Sequence, residues 1–339
     1  MPPKRKTKSG STAKNAASNK EDQAKRAKLH SHPFKDHVEK LYGMPMSDDL
    51  FLMQQFFSKD DSNKDALTLL KLKCVGPFLH LSDKQSKTTS SDPTFYHMQW
   101  RYFYDVPEFL TAFASTESNN LFHIGYFRDD PSDLDSLVVA SNTGKDAKLT
   151  LLGDNLFAAI STHTKEVIKT IKTQSKKKKL TTFLQNLQDF AKESNLDLTT
   201  TSNKVNERKK KVVTQSFHGL GIVVPLSKDG IGYRPLHHTD AQLKRLLQKI
   251  VNAKNDQDRI AAFDPIQETV NFIQFANDEC DYGMGLELGI DLFCHGSKYF
   301  HKMSNLLLTV GYQLLKRDLY AKICDKHLAD RREKDVERA

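Results

Sequence analysis

The sequence predicts an α+β fold with two lobes, a largely antiparallel sheet with helices in the first lobe and a more helical second lobe. Three observations support this prediction. Hydrophobic residues make up 38% of the 339-residue chain, and 20 Phe among them can fill an extensive core. Between residues 94 and 152, short segments of strand-like sequence alternate with turn-rich ones. From residue 241 onward, apolar residues recur at helical spacing.

We predict four regions: a disordered basic tail over residues 1–32, an N-terminal α/β lobe over 33–195, a mainly helical C-terminal lobe over 196–330 that carries the candidate site, and a flexible end over 331–339. Residues 1–30 hold nine Lys or Arg against two acidic residues, a net charge of +7. With few large apolar residues, this tail cannot offset the entropy cost of ordering. The other 42 basic and 40 acidic residues leave +2, so we expect direct nucleic-acid binding to be weak or absent.

Two basic clusters in the tail are spaced like a two-part nuclear import signal. The first cluster covers residues 4–8 and begins with Lys4, Arg5 and Lys6, and the second covers residues 25–28 and begins with Lys25 and Arg26. A tail that only improves solubility is the alternative, because such motifs are loosely defined. The prediction is a nuclear protein.

In the first lobe we expect helices at residues 37–42 and 48–57, then strands at 121–127, 137–140 and 148–152, then helices at 154–171 and 180–194. Another half-buried strand is expected from Thr94, because five apolar residues fall on one face at period two: Tyr96, Met98, Trp100, Tyr102 and Tyr104. We interpret the lysine run 176–179 as a solvated loop between the two helices, since no aromatic residues interleave with it.

The second lobe is expected to contain strands at residues 212–217 and 221–226 and helices at 241–251, 265–279 and 298–317. The helix at 265 is predicted to start there because Asp264 can cap it and Pro265 suits the first helical position. On the last helix, five residues on a single face are expected to face the core: Tyr299, Met303, Leu306, Val310 and Leu314.

Asp278, Glu279 and Asp281 cluster where the helix from Pro265 is predicted to end. The helix macrodipole disfavours each carboxylate there by roughly 0.3–1 kcal/mol. Such departures from local rules often mark functional sites. Adjacent helical residues point about 100° apart, so we expect one acid of the pair Asp278 and Glu279 to act in chemistry and the other to orient a neighbour or contact a partner. An exposed acidic patch without function is the alternative.

The sequence provides no recognisable nucleotide or metal site. Gly283, Gly285 and Gly289 miss the dinucleotide-binding spacing by one position, and no P-loop is present. The four cysteines lack a C-x-x-C pair, which favours reduced thiols and disfavours a zinc site. We expect His218, His237 and His238 to be structural or surface residues, and no membrane role is indicated.

Four segments carry a resemblance to a known family. They read QWRYFYDVPEF from residue 99, HIGYFRDDP from 123, FHGLGIVVPLSKDGIGYR from 217, and IQETVNFIQFANDECDYGMGLELGIDLFCHGSKYFHK from 266. On these motifs the chain resembles the histone PARylation factor family from residue 33 to residue 328. The last segment is the most specific of the four.

The resemblance implies an accessory factor with little activity alone. It would complete the active site of DNA-damage-activated poly(ADP-ribose) polymerases during DNA repair and direct ADP-ribosylation to serine on histones and other chromatin proteins. NAD would be held by the polymerase, with no cofactor bound by this chain alone, and we expect a monomer when alone. The catalytic glutamate of the family falls on Glu279 and its neighbouring aspartate on Asp278, while Tyr233 and Arg234 match a pair at the partner interface. We place Asp281 in the same partner-binding group.

Glu279 is then expected to act as general base for the serine hydroxyl. For Arg234 the alternative is a surface salt bridge within the chain. Two other functions stay open: a stand-alone hydrolase of glycosidic or ADP-ribosyl bonds that uses Glu279 and Asp281, or a nuclear adaptor whose acids only bind a basic surface.

Overall fold

A computed structural model describes residues 32–82, 90–135 and 137–333. The import residues Lys4, Arg5, Lys6, Lys25 and Arg26 lie outside the described residues. The helices are α1 Lys35–Tyr42, α2 Asp48–Lys59, α3 Asp61–Leu70, α4 Pro93–Met98, α5 Leu156–Thr170, α6 Gln174–Glu193, α7 Asn203–Lys211, α8 Asp240–Val251, α9 Asp256–Asp278, α10 Gly283–His295, α11 His301–Leu314 and α12 Asp318–Ala329. The strands are β1 Leu72–Cys74, β2 Phe109–Ser115, β3 His123–Phe127, β4 Val138–Asn142, β5 Leu149–Gly153, β6 Val212–Thr214 and β7 Ile222–Val223.

A five-stranded antiparallel sheet in the order β1-β2-β3-β4-β5 forms the centre of the N-terminal half. Every residue of β3 and β4 is buried, so helices cover both faces of the sheet. A separate ribbon pairs β6 with β7, and helices form most of the C-terminal half. The α+β prediction, with a largely antiparallel sheet first and a more helical second half, is confirmed.

The larger apolar core contains side chains of the sheet and of the C-terminal helices, among them Phe109, Phe127, Phe293 and Tyr312. Buried polar bonds join the same regions. Tyr312 donates to Glu108 at 2.7 Å, and Arg208 donates to both carboxylate oxygens of Asp129 at 2.7 and 2.8 Å.

A smaller core lies within α8, α9, α10 and α11 and includes Leu247, Ile273, Leu288 and Leu307. It fixes α9 against α10, the two helices that flank the acidic segment. The predicted division near residue 195 stays a prediction.

The predicted strand from Thr94 is wrong. Asp92 accepts a hydrogen bond from the Thr94 amide, and Pro93 occupies the first turn, so α4 starts here. Tyr96, Met98, Trp100 and Tyr102 are all buried, but they lie on a short helix and the turns after it and not on one face of a strand.

Two predicted features of helices are also wrong. The helix expected from Pro265 begins at Asp256, where the Asn255 side chain accepts from the Asp258 amide, and Pro265 lies inside it. The lysine run 176–179 belongs to the first turns of α6 and does not form a loop before it.

The prediction of which face of α11 packs against the core is wrong as well. Leu306 is 59% exposed, and the neighbouring Val310 and Leu314 are exposed too. The buried side of this helix contains Leu307, Leu308, Gly311 and Tyr312 instead. The side that meets the core is therefore rotated by about one residue, or roughly 100°.

Candidate functional site: an acidic corner between two helices

The acidic corner, residues 278–281, connects α9 to α10. Cys280 adopts φ +67° in the left-handed region, and its amide donates to Asn277 O at 3.1 Å, while the Asp281 amide donates to Ala276 O at 2.8 Å. These bonds are those of a Schellman motif, in which Gly usually takes the left-handed position. The predicted helix end at this point is confirmed. However, the chain enters α10 at Gly283, so the acids lie at the junction of two helices.

The three acids of the corner differ in exposure. Asp278 is exposed at the end of α9. The Glu279 side chain is 61% exposed, whereas that of Asp281 is only 11% exposed. Glu279 is therefore the acid of this corner that combines access from solvent with a defined partner within the chain.

That partner is Arg234. Its Nη2 donates to Glu279 Oε2 and lies 3.1 Å from Asp281 Oδ2. The hydrogen bond that Arg234 donates to Glu279, helped by the charges of Glu279 and Asp281, raises the pKa of Arg234. In this structure Arg234 thus forms the surface salt bridge that was the alternative to partner binding, and it joins the two functional candidates Arg234 and Glu279.

The backbone before Arg234 is fixed to the same corner. The Gly232 amide donates to Asp281 Oδ1 at 2.9 Å, and Gly232 O accepts from the Gly283 amide at 2.9 Å. Gly232 has φ +139°, and a Cβ here would lie 2.2 Å from Pro225 O, so only glycine fits. Asp281 therefore binds Gly232 and Arg234 at once and is buried in doing so.

Tyr233 lies between these anchors and is half-buried. Its hydroxyl donates to Glu287 Oε2 at 3.0 Å. Desolvation, together with the nearby charge of Glu287, raises the pKa of Tyr233. Sequence reasoning found Tyr233 but missed Glu287, whose position inside an apolar helical segment was the available signal.

Exposed apolar side chains border the corner. Phe275, one turn before Glu279, is 61% exposed, and Phe272 is exposed beside it with its ring 4.4 Å from that of His237. Ile231, next to Gly232, is exposed as well. Neighbouring exposed apolar residues around polar ones are typical of a surface that binds another protein. The sequence carried a signal, because both Phe residues fall outside the apolar face of their helix.

The glycines near the corner serve packing. A Cβ at Gly283 would lie 3.0 Å from Gly232 O, and one at Gly289 would lie 2.8 Å from the Leu308 side chain. His218 is buried, its Nδ1 accepts from the Leu220 amide, and burial lowers its pKa to about 3. It is therefore a structural histidine, as expected.

Two further properties concern the described ranges alone. No group of three His, Cys, Asp or Glu there is arranged to hold a metal ion. None of the described helices has the length and apolar character needed to cross a bilayer.

The chain is similar to known proteins over most of its length. The model of a family described as Histone PARylation factor 1 matches residues 33–331. The chain is 42% identical over 303 residues to Histone PARylation factor 1 of Bos taurus, with 88% of this chain and 87% of the relative covered. For the Danio rerio protein of the same name the identity is 43% over 306 residues, covering 89% and 87%. A Homo sapiens relative, Putative histone PARylation factor 1-like, is 40% identical over 313 residues, covering 91% and 89%.

These matches assign the chain to the class of histone PARylation factors. The chain belongs to the Histone PARylation factor 1 family.

Proposed function

We propose that this protein completes the active site of DNA-damage-activated poly(ADP-ribose) polymerases and directs ADP-ribose transfer to serine on histones, with Glu279 as the general base. The observation that supports this most is an exposed carboxylate, Glu279, held by Arg234 on a surface with exposed Phe275 and Ile231. An enzyme acting alone needs a pocket for its substrate. Two cavities of about 430 and 380 Å³ on the described surface are lined by other residues than the acids of the corner.

The chemistry explains why a second protein would help. A serine hydroxyl is a weak nucleophile, and its proton must leave as the oxygen bonds to the anomeric carbon of ADP-ribose and nicotinamide departs. A carboxylate within reach of that hydroxyl takes the proton, which typically contributes about 10² to 10⁴ in rate. Glu279 is the exposed, oriented carboxylate that suits this role.

Arg234 and Asp278 are proposed as partner-binding residues. The Arg234 guanidinium already contacts two carboxylates in the free chain, and its planar fork suits a carboxylate of the polymerase equally well. Asp278, the residue before Glu279, is exposed and would contact a basic group of the polymerase, which favours a matched orientation more than raw affinity. Tyr233 would contribute its exposed side to the same interface.

The remaining expectations follow from this role. NAD is supplied in the polymerase, the substrates are histones and other chromatin proteins, and this chain acts as a monomer in the nucleus at sites of DNA damage. The stand-alone hydrolase is disfavoured because it needs a second available carboxylate. Asp281 has both carboxylate oxygens engaged, one by the Gly232 amide and the other by Arg234.

The proposal is tested by transfer of labelled ADP-ribose to a histone-tail peptide with one serine, using polymerase activated by broken DNA and NAD. We expect serine labelling with this protein and little without it, and none on a peptide with Ala in place of the serine. Arg234→Ala should reduce labelling at low concentration of this protein. Serine labelling that is equal with and without the protein would contradict the proposal.

A further inference from the structure

We propose that Glu287 is a positioning residue for the acidic corner: it holds Tyr233 against α10, so that Arg234 is presented to Glu279. This inference rests on the proposed function of Glu279 for its catalytic consequence, whereas its structural part concerns the free chain alone.

Glu287 links three parts of the chain. It lies in the middle of α10 with 5% of its surface exposed. Its Oε1 accepts from the Thr214 hydroxyl of β6 at 2.8 Å, and its Oε2 accepts from the Tyr233 hydroxyl at 3.0 Å. Each carboxylate oxygen thus has a separate donor, one from the β-ribbon and one from the segment that leads to Arg234.

Glu287 is one of three carboxylates that bind the segment 214–233. Asp281 binds the Gly232 amide, Glu287 binds Thr214 and Tyr233, and Asp291 Oδ1 accepts from the Phe217 amide at 2.9 Å. Residues 214–233 are therefore attached to α10 and to the turn before it at successive points. Asp291 holds a part of the segment that is distant in sequence from Arg234, while Glu287 holds the residue directly before Arg234.

The energetics favour a role in orientation. A buried carboxylate destabilises a fold unless it is hydrogen-bonded, and an apolar side chain of similar size often gives equal or greater stability. Burial raises the pKa of Glu287, whereas hydrogen bonds from the Thr214 and Tyr233 hydroxyls and from the Leu236 backbone oppose that shift. Unlike an apolar residue, the carboxylate orients its neighbours, because its two acceptor oxygens fix the positions of two hydroxyl groups.

The Tyr233 ring packs closely against the start of α10. A Cβ on Gly283, the first residue of α10, would lie 3.0 Å from Tyr233 Cδ2. The ring thus rests on the start of α10 at one end, and its hydroxyl binds Glu287 at the other. Without the hydroxyl bond the ring can tilt, and Arg234, attached to the same backbone, loses its fixed approach to Glu279.

The test begins with the protein alone. Nitrogen-15 relaxation of the Arg234 Nε–H group reports how rigidly the guanidinium is held. In wild type we expect an ordered group, and in Glu287→Met we expect the order parameter to fall below about 0.6. Asp291→Leu removes the matched carboxylate one turn along α10 and should leave Arg234 ordered. Glu287→Gln keeps one acceptor oxygen and should retain most of the order.

The second readout is serine transfer at saturating concentrations of the polymerase complex. Glu287→Met should lower it about tenfold, an energy of roughly 1.4 kcal/mol, while Glu287→Gln stays within about threefold of wild type. Should Glu287→Met fail to fold, Tyr233→Phe removes the same hydrogen bond and should loosen Arg234 in the same direction.

The inference is overturned if the Arg234 group stays as rigid as in wild type in Glu287→Met and Tyr233→Phe, or if Asp291→Leu loosens it equally. Failure of the proposed function has a different signature. Wild type would then give no serine transfer, while the relaxation of Arg234 would still distinguish the variants.

Discussion

Replacing Cys280 by glycine should stabilise the protein, although it shortens a side chain beside the candidate catalytic residue. Cys280 has φ +67°, and a left-handed conformation costs an L-residue roughly 1–2 kcal/mol. Glycine avoids that cost but loses more backbone freedom on folding, by about 0.5–1 kcal/mol. Because the thiol is exposed, little burial is lost. The net expectation is a gain of about 0.5–1 kcal/mol in the free energy of unfolding.

Urea unfolding followed by circular dichroism measures this change. The matched control is Gln274→Gly, at an exposed position inside α9 with ordinary helical geometry. There glycine should destabilise by about 1 kcal/mol, so the two substitutions to glycine differ in sign within two turns of each other. A loss of stability in Cys280→Gly equal to that of the control would refute the Schellman assignment and the strain inferred from it.

Three further predictions concern buried charge and the partner surface. Burial raises the pKa of Glu108 from 4.5 to about 7, so the stability from this group is present below about pH 4.5 and lost as the pH rises through about 7. Relative to Glu108→Gln, the unfolding free energy of wild type should fall by about 2–3 kcal/mol between about pH 5 and pH 8. A difference between the two proteins that stays constant with pH would contradict this. Arg208→Met leaves Asp129 buried without its bidentate partner and should cost about 3–5 kcal/mol in urea unfolding, whereas a loss below about 1 kcal/mol would refute a tightly coupled pair. Arg234→Ala should change the melting temperature little because the Arg234 side chain is 42% exposed and its ion pairs are at the surface. Its affinity for the polymerase, measured by calorimetry, should fall about tenfold or more. Unchanged affinity would restrict Arg234 to its salt bridge.

Local pattern was sufficient for much of the fold. β3, β4 and β5 were predicted because each is a short apolar run between turn residues, and α8 because apolar residues recur at helical spacing from residue 241. The structure adds a capping box formed by Thr239 and Gln242 at the start of α8. The wrong predictions came from sequence patterns that are compatible with two different local structures. Asp264 and Pro265 resemble a helix start, yet the side chain that caps α9 is Asn255, which lies nine residues earlier.

The corner could be located from sequence because three acids at a helix end conflict with the macrodipole. The contacts within the corner could not be predicted from sequence. Arg234 meets Glu279 across 45 residues of sequence, and Glu287 meets Thr214 across 73. Such pairs depend on how β6, the segment before α8 and α10 pack together, which no local spacing encodes. An acid inside the apolar segment 283–294 marks Glu287 as unusual, but the sequence does not reveal Thr214 and Tyr233 as its partners.

Glu279 is tested most directly by a single-turnover measurement. The polymerase, broken DNA and NAD are combined with saturating wild-type or Glu279→Gln protein, and serine labelling of the peptide is followed in time while the affinity of each variant for the polymerase is measured in parallel. We predict that Glu279→Gln lowers the serine rate by about 10² or more, with affinity within about threefold of wild type. Serine labelling at nearly the wild-type rate by a bound Glu279→Gln protein would contradict the role of Glu279 as general base.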